Sequence, residues 1–144
     1  MKKIDLYTDG CCLGNPGPGG WCAIVHFGKH EKILRGGEAA STNNRMEMMA
    51  VLATLRTLKE PCKIRLHADS RYVLDALKSW IHTWAKNGWR TASKSPVANR
   101  ELWEELYLLM QPHQWEMIWI KGHSGHPENE FCDQVAKEEA EKFR

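Results

Sequence analysis

No stretch of this 144-residue chain is apolar for the roughly 18–20 residues that a membrane-spanning helix needs. The N-terminus also lacks the charged, apolar and small-residue blocks of a secretion signal, so a cytoplasmic location is expected. The cysteines (Cys11, Cys12, Cys22, Cys62 and Cys132) are odd in number and include no C-x-x-C pair. Neither they nor the seven histidines form a zinc-spaced ladder or an H-E-x-x-H helix. A structural zinc site is therefore not expected, and the thiols read as reduced, small apolar side chains. Internal repeats, linkers and low-complexity segments are missing too, which leaves one domain over residues 1–144.

Charge of one sign is missing locally. Between Asp75 and Glu101 there is no acid, while Lys78, Lys86, Arg90, Lys94 and Arg100 fall in that stretch. The whole chain carries only +2, so global charge announces no polyanion, but a basic segment of this kind steers one. Trp80, Trp84 and Trp89 are interleaved with these cations, and aromatics beside cations bind a backbone and stack on sugars or bases. The competing reading is that some of these tryptophans pack in the core.

What is present alternates between two periods. KIDLYT (residues 3–8) predicts a strand ending at Asp9-Gly10, and GCCLGNPGPGG after it reads as turn chemistry throughout. WCAIVHF (21–27) and EKILR (31–35) predict two strands joined by a hairpin. Ser41 to Asn44 offers helix caps before RMEMMAVLATLRTL, and Pro61 closes that region. KIRLHA (63–68) predicts a strand running into Asp69. A helix over 71–81 follows, with Val73, Leu77, Trp80 and Ile81 on one face. Asn87-Gly88 breaks it. A helix over 99–110, a strand over 115–120 and a helix from Pro127 toward Arg144 complete a βββαβααβα order. That order predicts an α/β fold, a mixed sheet with helices on its faces.

Four acids carry the functional question, and each also has an ordinary explanation. Asp9 and Asp69 end predicted strands, where ligands gather in open α/β sheets but where aspartate also serves in turns and caps. Glu47 lies three residues after Asn44, the spacing of a capping box. Asp133 precedes Lys137 by one helical turn, the spacing of an exposed ion pair.

Their flanks, in order, are TDG followed by CLGNPGPGG, then TNNRMEMMA, ADSRYV and KGHSGHPENEFCDQVA. In this set of dispersed blocks the chain resembles type 1 ribonuclease H of the bacterial kind, nearly from end to end. The resemblance implies a five-stranded mixed sheet, with three antiparallel strands and then two parallel ones, flanked by helices. It implies cleavage of the RNA strand of an RNA/DNA hybrid by a monomer, leaving 5′-phosphate and 3′-hydroxyl ends. Asp9, Glu47, Asp69 and Asp133 become a carboxylate set holding two Mg2+ ions, with Mn2+ a substitute. Two metal ions suit phosphodiester hydrolysis, and magnesium prefers such hard oxygen ligands. The cluster also makes sense only around cations, since two carboxylates ~5 Å apart repel by roughly 3 kcal/mol at an effective dielectric of 20.

His123 matches the family's mobile catalytic histidine, while His126 reads as an exposed loop residue. Asn15, Asn43 and Asn44 match residues on the surface that reads the RNA strand, and Thr42 matches a phosphate contact. The segment near 80–100 resembles the family's basic protrusion, with Lys86, Arg90 and Lys94 on DNA phosphates and Trp80 lining the DNA channel. Two departures stand out: Arg71 occupies a place where many relatives carry glutamine, and Cys11 replaces a commoner serine. Integrases, junction resolvases, a non-catalytic hybrid-binding module and a glycosidase using two of the carboxylates are the rival readings, because a shared fold does not assign chemistry.

Overall fold

Apolar and polar residues alternate along strand β1, Lys2–Cys12, in a computed structural model that describes residues 1–122 and 124–144. Ile4 and Leu6 point into the core, while Asp5, Tyr7 and Asp9 take the opposite face. Strand β2, Gly17–Phe27, runs antiparallel to β1, and β3, His30–Ser41, runs antiparallel to β2. Their hairpin turns on Gly28-Lys29, where Gly28 takes φ 57°, a value that glycine adopts without steric cost. Strand β4, Cys62–Ala68, lies parallel to β1, and β5, Gln114–Trp119, parallel to β4. The sheet order is β3-β2-β1-β4-β5, the mixed sheet expected from the sequence.

Helix α1, Asn43–Thr57, crosses one face of the sheet between β3 and β4. Beyond β4 come α2 (Arg71–Asp75), a π-helical turn (Ala76–Trp80) and α3 (Ile81–Asn87), which Gly88 ends at φ 79°. Helix α4, Arg100–Met110, packs on α1, and α5, Pro127–Glu141, lies across β1, β2 and β3. The main core holds Leu6, Met48, Leu52, Leu66, Leu77 and Trp103, all essentially sealed from water. Burying each of these large apolar side chains contributes roughly 1.5–3 kcal/mol. A smaller cluster of Cys22, Ile24, Cys132 and Val135 sits beneath α5. All five cysteines are free thiols, and Cys22, Cys62 and Cys132 are fully buried, as small apolar side chains would be.

Two local expectations need correction. The glycine-rich run is not a turn throughout, because β1 continues to Cys12 and β2 already begins at Gly17. Here glycine serves close approach. A Cβ on Gly10 would come within 2.5 Å of the Glu47 backbone nitrogen, and one on Gly20 within 2.0 Å of the Ala136 carbonyl oxygen. The missing side chains thus let α1 and α5 press on opposite faces of the sheet. The second correction concerns the face over 71–81. Val73, Leu77 and Ile81 are buried, but Trp80 is 40% exposed. A π turn takes more residues per turn than an α-helix, so positions four apart stay aligned and Trp80 is rotated outward.

Candidate active site

Three of the four acids converge. Carboxylate oxygens of Asp9, Glu47 and Asp69 all lie within 4.8 Å of one another, although they come from β1, α1 and the end of β4. Parallel pairing of β1 with β4 sets the first and last of these side by side. The contact of α1 with Gly10 brings Glu47 down between them.

Capping of α1 and α2 falls to residues other than Glu47 and Asp69. Thr42 caps α1, its Oγ1 accepting from the Arg45 backbone nitrogen at 3.3 Å, so Glu47 is not the third residue of a capping box. Ser70 caps α2 by accepting from the Val73 nitrogen at 3.2 Å, which releases Asp69 from that task. Asp9 accepts a hydrogen bond from its neighbour, the Gly10 nitrogen, at 2.9 Å.

Asp133 differs. It stands on α5 and forms the expected i,i+4 pair with Lys137, Oδ2 to Nζ 3.0 Å, outside the group of three. Its charge nonetheless reaches Asp9 and helps raise that group's pKa.

Crowding shows in the electrostatics. Burial, then the charge of Asp69, push the Asp9 carboxyl up to about 7, with Asp133 adding to the rise. Burial, then the charges of Asp9 and Asp69, raise Glu47 well above the usual carboxylate range, and a hydrogen bond with Asp9 favours the proton on Glu47. Excess negative charge on hard oxygen donors is the environment of a divalent cation, so the residues fit the metal that the sequence implied. Binding the cation restores the charged forms by supplying the opposing charge.

The residues expected to contact substrate fall into two groups. Asn15 Oδ1 accepts from the Asn43 nitrogen at 3.1 Å, which joins the loop after β1 to the start of α1. Thr42, Asn43 and Asn44 are exposed beside it. Lys86 is exposed on α3, and Arg90 and Lys94 are exposed on the irregular segment after it. That segment is held by Asn87 Oδ1 accepting from the Arg90 nitrogen at 3.1 Å and by Arg90 Nη1 donating to the Lys94 carbonyl at 3.0 Å. Trp84 and Trp89 pack against the core and Trp80 stays outside, so the tryptophans divide between the two readings the sequence left open. His123 lies outside the described residues, and His126 beside it is exposed before α5.

Sequence reasoning missed three contributors. Gly10 matters through what it lacks. Trp119 donates from Nε1 to the Asp69 carbonyl at 3.2 Å, and the Arg71 guanidinium lies 4.0 Å from the Trp119 ring centre. Arg45 gathers acids from two other segments. Of these, only Arg45 carried a usable signal, lying between Asn44 and Glu47 in the same block.

Comparison with known proteins agrees with this geometry. The RNase H family model matches residues 1–141. Ribonuclease H of Aeromonas hydrophila is 58% identical over 140 residues, covering 97% of this chain and 91% of that relative. Its counterpart from Brucella anthropi is 54% identical over 144 residues, covering 100% and 94%. Among solved structures, LC9-RNase H1, a type 1 RNase H with the type 2 active-site motif, superposes with a TM-score of 0.88 at 29% identity, covering 100% of this chain and 74% of that one. LC11-RNase H1 in complex with an RNA/DNA hybrid shares the fold at a TM-score of 0.69 and 19% identity, covering 96% and 97%. With its glycine-spaced strands, its converging acids and its matched length, the chain belongs to the ribonuclease H family.

Proposed function

We propose that this protein is an endoribonuclease that hydrolyses the RNA strand of RNA/DNA hybrids, leaving 5′-phosphate and 3′-hydroxyl ends. The observation that carries the reading is the meeting of Asp9, Glu47 and Asp69 within 4.8 Å, in a chain of this family. Asp9, Glu47 and Asp69, joined by Asp133, would hold two Mg2+ ions with substrate bound, and Mn2+ would substitute. The chemistry such ions would supply when held by these carboxylates is Lewis acidity toward an attacking water and a leaving oxygen. Asp9 is kept aimed by the Gly10 nitrogen. Asp133 would exchange its Lys137 partner for the site as charge accumulates there. His123 is assigned a proton-transfer or product-release role, which suits an imidazole's near-neutral pKa.

Asn15, Asn43 and Asn44 would read ribose hydroxyls and base edges across the shallow minor groove, and Thr42 would hold a phosphate. The protrusion near 80–100 would grip the DNA strand through Lys86, Arg90 and Lys94, with Trp80 lining the channel. Phosphate contacts carry no sequence information, so cleavage is nearly sequence-independent. One chain supplies every residue named, in keeping with a monomer. Its five free thiols suit the reducing cytoplasm. Among the described residues no helix is long and apolar enough to cross a membrane.

The test is a defined RNA·DNA duplex incubated with magnesium titrated from zero, beside RNA·RNA and DNA·DNA duplexes. Metal-dependent cutting confined to the RNA of the hybrid is expected. Equal cutting of plain DNA duplex would favour an integrase-like or resolvase-like activity instead.

A further inference from the structure

Arg45 is the most heavily bonded surface cation among the described residues, and the sequence motifs assign it nothing. Its Nε donates to Glu38 Oε1 at 2.7 Å and its Nη2 to Glu38 Oε2 at 3.2 Å, a two-point clasp of one carboxylate. Its Nη1 reaches the other way, to Glu101 Oε1 at 3.1 Å and Asn99 Oδ1 at 3.4 Å. Every nitrogen of the guanidinium is thus engaged. Glu38 is itself oriented by Ser41, whose hydroxyl donates to Oε1 at 3.1 Å.

Arg45 and its partners belong to three pieces of chain. Glu38 and Ser41 end β3, and Ser41 pairs with Gly17 just past the loop that carries Asn15. Arg45 itself opens α1, directly after Asn43 and Asn44 and two residues before Glu47. Asn99 and Glu101 lie where the basic segment returns to α4, with Asn99 in a left-handed conformation at φ 59°. One flat, forked side chain therefore spans from the surface that reads the RNA strand to the base of the segment that grips the DNA strand. Lysine could not do this, since a point charge lacks the fork.

We propose that Arg45 is a positioning residue that fixes the spacing between these two strand-gripping surfaces, and so matches the enzyme to the width of a hybrid. The inference rests on the hybrid-cleaving reading above. It places Arg45 away from the phosphates, with its donors spent on protein carboxylates and an amide. A rigid spacing favours a duplex of one groove width. Loosening it weakens hybrid binding and lets RNA·RNA, whose minor groove is wide, compete better.

The experiment measures KM, kcat and the salt dependence of KM on a defined hybrid in magnesium for wild type, Arg45→Met, Arg45→Lys and Glu101→Gln. Folding of each is checked by circular dichroism. Arg45→Met is expected to raise KM about tenfold and leave saturated kcat within about twofold, with lysine restoring part of the loss. The slope of log KM against log salt should stay that of wild type. Contact of Arg45 with a phosphate would instead lower that slope by roughly one unit, and this result overturns the proposal. Should Arg45→Met fail to fold, Glu101→Gln decides alone, because it takes the charge out of the arm toward α4 and leaves Nη1 only neutral amide acceptors there. Its KM is expected to rise about threefold, and an unchanged KM in a folded variant overturns the proposal. Wild-type protein inert on hybrid would defeat the functional reading itself, a failure recognised before any substitution is made.

Discussion

Asp9 concentrates the conflict on which the site is built. Burial and the facing charge of Asp69 hold its carboxyl near pKa 7, against about 3.9 in an unfolded chain. Between these values the folded state binds more protons than the unfolded one, so stability must fall as pH rises through that window. Urea unfolding in EDTA should therefore give a protein less stable at pH 8 than at pH 5, by on the order of 2–4 kcal/mol. Asp9→Asn should flatten this dependence. The same variant is expected to bind hybrid with near wild-type affinity while cleavage in magnesium is abolished. Comparable turnover by Asp9→Asn would contradict its role. The ordinary roles weighed for Glu47 and Asp69 were excluded only by seeing Thr42 and Ser70 take the caps, a choice among adjacent polar residues that spacing alone could not make.

At the scale of elements, two glycines decide how closely the helices approach. Gly20→Ala would drive a methyl into the Ala136 carbonyl, and a denaturation midpoint should report a loss of roughly 1–3 kcal/mol. A variant as stable as the parent would mean that α5 does not press on β2 as described. The strand and helix order was legible because apolar periodicity is local information. The reach of β1 and β2 into the glycine run was not, because those glycines answer to helices distant in sequence. The outward turn of Trp80 was hidden for a related reason, since a π turn alters the very period by which a helix face is read. Nor did spacing reveal the Arg45 clasp, which joins positions from three segments. The basic segment, by contrast, was plain from its missing acids. Lys86→Ala should reduce the salt slope of hybrid binding by about one unit and leave saturated kcat unaltered. An unchanged slope would remove Lys86 from the list of phosphate contacts.

Over the whole molecule, a near-neutral chain divides its charge. Acids gather where β1, β4 and α1 meet, and exposed cations stand on α3 and on the segment between α3 and α4. Such a division suits a polyanion that must be held by one surface and cut at another. Four dispersed sequence blocks drew attention to the acids, but only the fold separates the tight group of three from Asp133, which pairs with Lys137. The central claim is that these acids exist to hold divalent cations. Calorimetric titration of magnesium into the protein at pH 7.5, for wild type and Asp9→Asn side by side, tests it most directly. Saturable binding by wild type, accompanied by a rise in melting temperature and largely lost in the variant, is the predicted result. Identical isotherms for the two proteins would contradict it.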